Sequence, residues 1–189
     1  MTTLLPGRAC ITPRSPVAFA EQLGQALARI HAHAPGAGLP EVLHPPRSAH
    51  GPAAVPDDAW DRLSTTPRVL THHDFWSGNT LWRNGQLAGV VDWSGAGLAP
   101  RGFDISWARL DLVLLDGPDL ARTFTTAYES AAASSIPDLV LWDLYAAANA
   151  RPAVESWATN YQQLGRADLG PRELRRRFEE WRLTIRPGP

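Results

Sequence analysis

The chain has 189 residues, room for one domain of moderate size or for part of a larger protein, and its 44% hydrophobic and 20% charged content is ordinary for a folded globular chain. A net charge of −1 supplies no electrostatic footprint for nucleic acid or an anionic membrane surface. The single cysteine, Cys10, excludes an internal disulfide and fits a reducing compartment.

The opening residues show no charged segment followed by an apolar stretch. No run approaches the roughly 18 apolar residues of a membrane span. The expectation is a cytoplasmic (cytosolic) chain. All 18 basic residues are arginine. That bias, with much alanine and proline, reads as GC-rich coding rather than function.

In chain order, Leu4-Leu5 is a short apolar stretch before Pro6-Gly7. Ser15-Pro16 reads as a helix cap with proline in the first turn. Phe19, Leu23, Leu27 and Ile30 follow at helical spacing. His31 and His33 end this helix. Two residues apart, they fall on different faces, so they are read as ordinary helix-end residues rather than a joint metal site. Pro35, Pro40, Pro45, Pro46, Pro52 and Pro56 mark a loop, in which His44 and His50 are expected to be solvated. Residues 57–63 suggest one or two helical turns.

Residues 69–92 carry the chemistry. Val69-Leu70 reads as a short buried strand. It leads into His72-His73-Asp74-Phe75-Trp76-Ser77-Gly78-Asn79. Asn84-Gly85 then gives the strongest short hairpin signal, because both turn positions need positive φ. Strands are expected over 80–83 and 86–91. With that turn, Arg83 faces Gln86, Asn79 faces Val90, and Asp92 becomes the diagonal neighbour of Asn79. An amide oxygen and a carboxylate would converge there. Hard oxygen donors, few in number, suit Mg²⁺ that completes its shell with water and nucleotide phosphates. Asp74, on the loop entering the hairpin, is placed to orient an attacking hydroxyl or take its proton.

Residues 94–101 read as a glycine-rich loop. Beyond them the pattern is helical. Ile105, Ala108, Leu112 and Leu115 predict a helix ending at Asp116-Gly117-Pro118. Further helices are expected over 118–133, 137–150, 152–164 and from Gly170-Pro171 onward. The last has Leu174, Phe178 and Trp181 inward, with Arg172, Arg175, Arg176 and Glu180 on a solvated face.

The segments His72–Asn79 and Val90-Val91-Asp92-Trp93 resemble the catalytic and metal-binding segments of the aminoglycoside phosphotransferase (phosphotransferase enzyme) family. That family is similar in fold to the protein kinases, whose catalytic loop reads H-R-D-x-x-x-x-N. The resemblance extends to Pro100-Arg101-Gly102-Phe103-Asp104-Ile105, to Leu5-Pro6-Gly7-Arg8 and to the helix before His31. It implies an α+β, mainly α fold: a kinase-like C-terminal lobe, helical with a small β-hairpin at the catalytic loop. Residues 1–12 would be a hinge-like segment and 13–189 the lobe, with a catalytic loop at 71–80, a metal-binding segment at 90–94 and a helical subdomain at 104–186. The N-terminal lobe, with its glycine-rich loop and phosphate-binding lysine, is expected to be absent.

The same resemblance assigns roles. Asp74 would be catalytic, and Asn79 and Asp92 would hold Mg²⁺ with ATP or GTP. His72 would pack beneath the loop, and Asp104 would hold it by hydrogen bonds, or else serve as a helix cap. The family usually has glycine where this chain has His73, and an acidic residue where it has Ser94. Asp138, Asp143 and Glu155 would lie on helices lining the acceptor pocket, suiting a cationic acceptor, or be solvated charges. Trp76 and Trp93 flank the site and are read first as packing residues.

The expected function is phosphoryl transfer from ATP or GTP to a hydroxyl of a small molecule, by a chain read as truncated. Two alternatives stand. The chain is a non-catalytic remnant or interaction module whose exposed hinge surface self-associates or binds a partner. Or the His-Asp doublet belongs to a metal-dependent phosphohydrolase of the HD type, whose ligands sit on helices.

Overall fold

The computed structural model describes residues 5–34, 36, 38–46 and 55–186. Residues 1–4 of the hinge-like segment, and Pro35, His50 and Pro52 of the proline-rich loop, lie outside the described residues. The fold is α+β and mainly helical. No described helix is long and apolar enough to cross a membrane.

Strand β1 (Arg8–Ala9) precedes helix α1 (Pro16–His31). The Ala18 amide donates to Ser15 Oγ at 3.4 Å, and Pro16 sits where a helix has no partner for an N–H. Phe19, Leu23 and Leu27 are buried, and Ile30 lies half-buried at the edge of that face.

Helix α2 (Asp57–Ser64) and strand β2 (Arg68–Thr71) lead to the central loop. Strands β3 (Thr80–Arg83) and β4 (Gln86–Val90) then form the hairpin, with Asn84 at φ 53° and Gly85 at φ 75°. The turn is the one its residues demand. The register is not the expected one. Arg83 faces Gln86 and Trp82 faces Leu87, but a bulge at Ala88 pairs Leu81 with Gly89 and Thr80 with Val90. Thr80, not Asn79, therefore faces Val90. An extra residue on one strand changes which side chains share a face beyond it, and a turn dipeptide cannot encode that.

Two other expectations change. The glycine-rich loop contains strand β5 (Gly97–Pro100), paired antiparallel with β2 from Arg68↔Pro100 to Thr71↔Gly97. Its propensity is weak, and the partner strand supplies the backbone hydrogen bonds. Likewise β1 joins the hairpin through Arg8↔Trp82 and Ala9↔Leu81, giving sheet order β1-β3-β4.

Helices α3 (Gly102–Asp116), α4 (Pro118–Ala132), α5 (Leu139–Ala150), α6 (Ala158–Gln163) and α7 (Pro171–Thr184) complete the fold. The helix expected over 152–164 is split, with a 3₁₀ turn at Val154–Trp157 before α6. Helix α5 starts two residues later than expected, because Asp138 is left-handed at φ 54°.

Helix α3 is the structural axis. Ile105, Leu110, Leu112, Val113, Leu114 and Leu115 are all buried, as are the polar Asp104, Ser106 and Asp111 of the same helix. It packs on α4, α5 and α7 and on the turn at Ser77–Asn79. Phe75, Phe124 and Phe178 are fully buried in the same core, each contributing about 1.5–3 kcal/mol of burial. This fixes the loop that holds Asp74 directly against α3.

Candidate active site

The loop between β2 and β3 is held from below by α3. Asp104, in the first turn of α3, is fully buried. Its Oδ2 accepts the amide of His72 at 2.7 Å, and its Oδ1 accepts the amide of His73 at 2.9 Å. Asp104 thus binds the loop backbone through both carboxylate oxygens from the first turn of α3.

His72 is also fully buried. The amide of Asp74 donates to its Nδ1 at 3.3 Å, so Nε2 carries the hydrogen and donates to the Val91 carbonyl at 2.9 Å. One imidazole thus ties the backbone of Asp74 to the end of the hairpin. His73 adopts φ 72°, a left-handed conformation that glycine takes without cost. Its ring stacks on Phe103 with centroids 4.7 Å apart, and burial lowers its pKa.

Asp74 itself is exposed. Asn79 Nδ2 donates to the Asp74 carbonyl at 2.9 Å and to its Oδ2 at 3.1 Å. Trp107 Nε1 donates to Oδ1 at 3.3 Å. The carboxylate is therefore oriented from both sides. The Val91 amide donates to the Asn79 carbonyl at 2.9 Å, so Asp92 is chain neighbour to a direct partner of Asn79. Asp92 is left-handed at φ 64°, exposed, and accepts from Ser94 Oγ at 2.8 Å. The structure thus gathers Asp74 and Asn79 directly, and reaches Asp92 through Val91 rather than by the diagonal first expected.

The donor set fits a hard cation. The Nδ2 bonds of Asn79 leave its amide oxygen for a metal, and the Asp92 carboxylate is a second hard donor. Among the described residues no group of three or more His, Cys, Asp or Glu side chains is placed to hold a metal ion. The His72-His73-Asp74 run lies on a loop between strands, not on the helices an HD-type site requires.

Sequence reasoning missed three supports. His31 ends helix α1 as expected but is also buried, with Nδ1 2.8 Å from Tyr128 Oη and Nε2 3.3 Å from Asp104 Oδ2. Trp107 orients Asp74. Asp111, buried in α3, accepts the amide of Ser77 at 2.9 Å, the Ser77 hydroxyl, and the Tyr161 hydroxyl at 2.8 Å. Burial pushes the Asp111 carboxyl above its usual pKa, against those bonds, and pushes Tyr161 well up as well. Residues 104, 107 and 111 are spaced by three and four, one face of a helix. Polar groups at that spacing on an otherwise apolar helix were the available signal. His44 is only partly exposed and lies near His73, Phe103 and Tyr145.

The three acidic residues read as acceptor-pocket candidates are each committed to an arginine. Asp138 pairs with Arg62, Asp143 is bidentate with Arg109 at 2.7 and 2.9 Å, and Glu155 pairs with Arg175. Trp93 packs its ring 4.7 Å from that of His72 and donates to the Val90 carbonyl at 3.0 Å. A cavity of about 250 Å³ adjoins Asp74, lined by Trp76, Trp107, Leu110, Trp157 and Tyr161. A larger one of about 380 Å³, lined by Ala28, His31, Tyr128 and Trp142 among others, lies away from Asp74.

Comparison with known proteins gives the family and the fold. The profile of the phosphotransferase enzyme family matches residues 1–140. No curated protein sequence matches the chain. Among solved structures, a macrolide 2'-phosphotransferase from Brachybacterium faecium superposes with a TM-score of 0.56 at 17% identity, covering 100% of this chain and 72% of that one. An aminoglycoside-3'-phosphotransferase of type VIII gives 0.53 at 16% identity, over 76% of this chain and 66% of that one. A spectinomycin phosphotransferase, in complex with ADP and spectinomycin, gives 0.51 at 17% identity, over 98% and 66%. At such identities the structural likeness is one of fold, and the chain spans 66% of the length of the aminoglycoside and spectinomycin phosphotransferases and 72% of the macrolide one. With nearly three quarters of its length matched by the family profile, the chain belongs to the phosphotransferase enzyme family.

Proposed function

We propose that this chain forms the catalytic, C-terminal lobe of a kinase-like enzyme that transfers the γ-phosphoryl group of ATP or GTP to a hydroxyl of a small molecule. The observation that carries this reading is the double hydrogen bond from Asn79 to Asp74, with Val91 closing on Asn79 one residue before Asp92. Asp74 orients the acceptor hydroxyl and takes its proton as the new O–P bond forms and the bond to the nucleoside diphosphate breaks. Asn79 and Asp92 would hold Mg²⁺, which neutralises charge on the nucleotide's phosphates when bound. His72 and Asp104 are positioning residues: they fix the loop backbone and do not touch the reactants.

Kinase-like enzymes also hold the phosphates with a lysine. The sequence contains none, its 18 basic residues all being arginine. The reading therefore assigns these residues the acceptor and metal side of the reaction. The acceptor is delivered to a prearranged carboxylate, so catalysis here is mostly positioning and charge stabilisation.

The test is nucleotide-dependent phosphorylation of a hydroxyl acceptor. Asp74→Asn is expected to lower kcat at least about 100-fold, the low end of what a lost general base costs, with an unchanged melting temperature because Asp74 is exposed. Asp92→Ala is expected to raise KM for Mg-nucleotide. Turnover near the parent level in Asp74→Asn overturns the reading.

A further inference from the structure

We propose that the acceptor for this site is an uncharged hydroxyl compound built on a flat apolar ring, rather than a polycation. The inference rests on the phosphotransferase reading above and names the substrate class of the same site.

Four aromatic residues, Trp76, Trp107, Trp157 and Tyr161, line the cavity beside Asp74, together with Leu110, Asp111 and Asn160. Trp107 and Trp157 meet edge to face with centroids 5.4 Å apart at 68°, and Trp76 and Tyr161 do so at 5.7 Å and 74°. The Trp76 ring is seated against Gly78, where a Cβ would lie 2.1 Å from it, so any side chain at 78 would displace that wall. Edge-to-face pairs keep their relative orientation, which leaves a slot rather than a collapsed cluster. Trp107 and Trp157 also line an adjoining cavity of about 270 Å³ together with Phe103 and His73. Each cavity is at or below the small end of ligand pockets, so a single ring fits where an oligosaccharide does not.

Charge points the same way. A polycation entering this slot sheds water from several ammonium groups, and each needs an anionic partner. Asp111 is consumed by Ser77 and Tyr161, and Asp143 and Glu155 by Arg109 and Arg175. Asp111 also lines the cavity but is buried under those bonds; Asp74 is the exposed carboxylate there, and the chemistry needs it. An uncharged ring asks for no such partner and gains aromatic contact on its faces and edges. The adjoining cavity has His44, Ser106, Tyr145 and Asn149 in its lining, and His73 Nε2 there is buried with no hydrogen-bond partner among the described residues. It suits a single polar substituent.

The experiment is a saturation-transfer NMR titration of the whole protein, without nucleotide, with 4-nitrobenzyl alcohol and separately with kanamycin. Saturable binding of 4-nitrobenzyl alcohol is expected, with no saturable binding of kanamycin. Trp157→Ala is expected to weaken the ring compound about tenfold (about 1.4 kcal/mol), and Trp157→Phe to restore most of it. Asn160 lines the same cavity from an exposed position, so Asn160→Trp, which fills the slot without altering the core, is expected to abolish binding. Tighter binding of kanamycin, no binding of the ring compound, or binding indifferent to both Trp157→Ala and Asn160→Trp overturns the proposal. In a second assay of the same compounds with ATP and Mg²⁺, ring binding without any phosphoryl transfer would remove the transferase reading alone. Transfer to kanamycin without ring binding would remove this inference alone.

Discussion

The buried carboxylate of Asp104 accepts the amide of His72 at 2.7 Å, and through that bond a helix deep in the core sets the backbone of the loop that carries Asp74. The same carboxylate also takes the amide of His73 at 2.9 Å and faces His31 Nε2 at 3.3 Å. Removing it strands two amides and an imidazole away from water. Asp104→Ala is therefore expected to cost about 3 kcal/mol or more, read as a lower urea midpoint at constant m-value, since each buried unsatisfied group costs about 1–3 kcal/mol. Asp104→Asn keeps one acceptor oxygen and should lose less. Equal losses in the two variants would argue against a bidentate role.

His73 gives a backbone test. Its φ of 72° strains any side chain with a Cβ. His73→Ala loses the stack on Phe103 and keeps the strain, whereas His73→Gly loses the stack and relieves it. The glycine variant is expected to be more stable than the alanine variant by about 1 kcal/mol, measured by urea unfolding. The reverse order would mean that the loop is not held left-handed there.

Asp111 sets a pH dependence. Burial raises its folded pKa above the usual 3.8, so folding favours the protonated form. Its contribution to stability is complete below about 3.8 and is lost as pH rises through the raised value. The stability difference between the parent protein and Asp111→Asn should therefore shift against the parent as pH rises through that window. Urea midpoints for both proteins across the acid range check this. A difference independent of pH would show that Asp111 titrates alike folded and unfolded.

The pair Arg109–Asp143 is bidentate and nearly buried, with Arg109 also reaching Thr125 at 2.6 Å. Burial pushes the Asp143 carboxyl up and the guanidinium opposes it. Asp143→Leu alone should cost about 3–5 kcal/mol, because it leaves a buried arginine unpaired. Arg109→Met combined with Asp143→Leu should recover most of that, since neither charge then remains. A double-mutant cycle by urea denaturation measures the difference. If Asp143→Leu is neutral, the acid is not committed to Arg109 and is available to an acceptor.

Much of this was legible along the chain. The Ser15 cap, the Asn84-Gly85 turn and the apolar faces of α1, α3, α4 and α7 depend on residues within a few positions of each other, and local patterns report local physics. The bulge at Ala88 and strand β5 were not legible, because strand pairing is decided by a partner elsewhere in the chain. His31 misled for the same reason. A histidine in the last turn of a helix has the same sequence context whether it faces water or, as here, a buried carboxylate seventy-three residues away.

The sequence by itself determined the kinds of group at the site: Asp74, Asn79 and Asp92 at spacings that a short loop and a tight turn bring near one another. Only the tertiary structure decided what each group is free to do. Folding brings Trp107 and Asp111 on α3 under the loop and sets Arg62, Arg109 and Arg175 against Asp138, Asp143 and Glu155. The reason is energetic. A buried or half-buried charge must find its partner in space, and the identity of that partner is a property of packing between distant segments rather than of any stretch of chain.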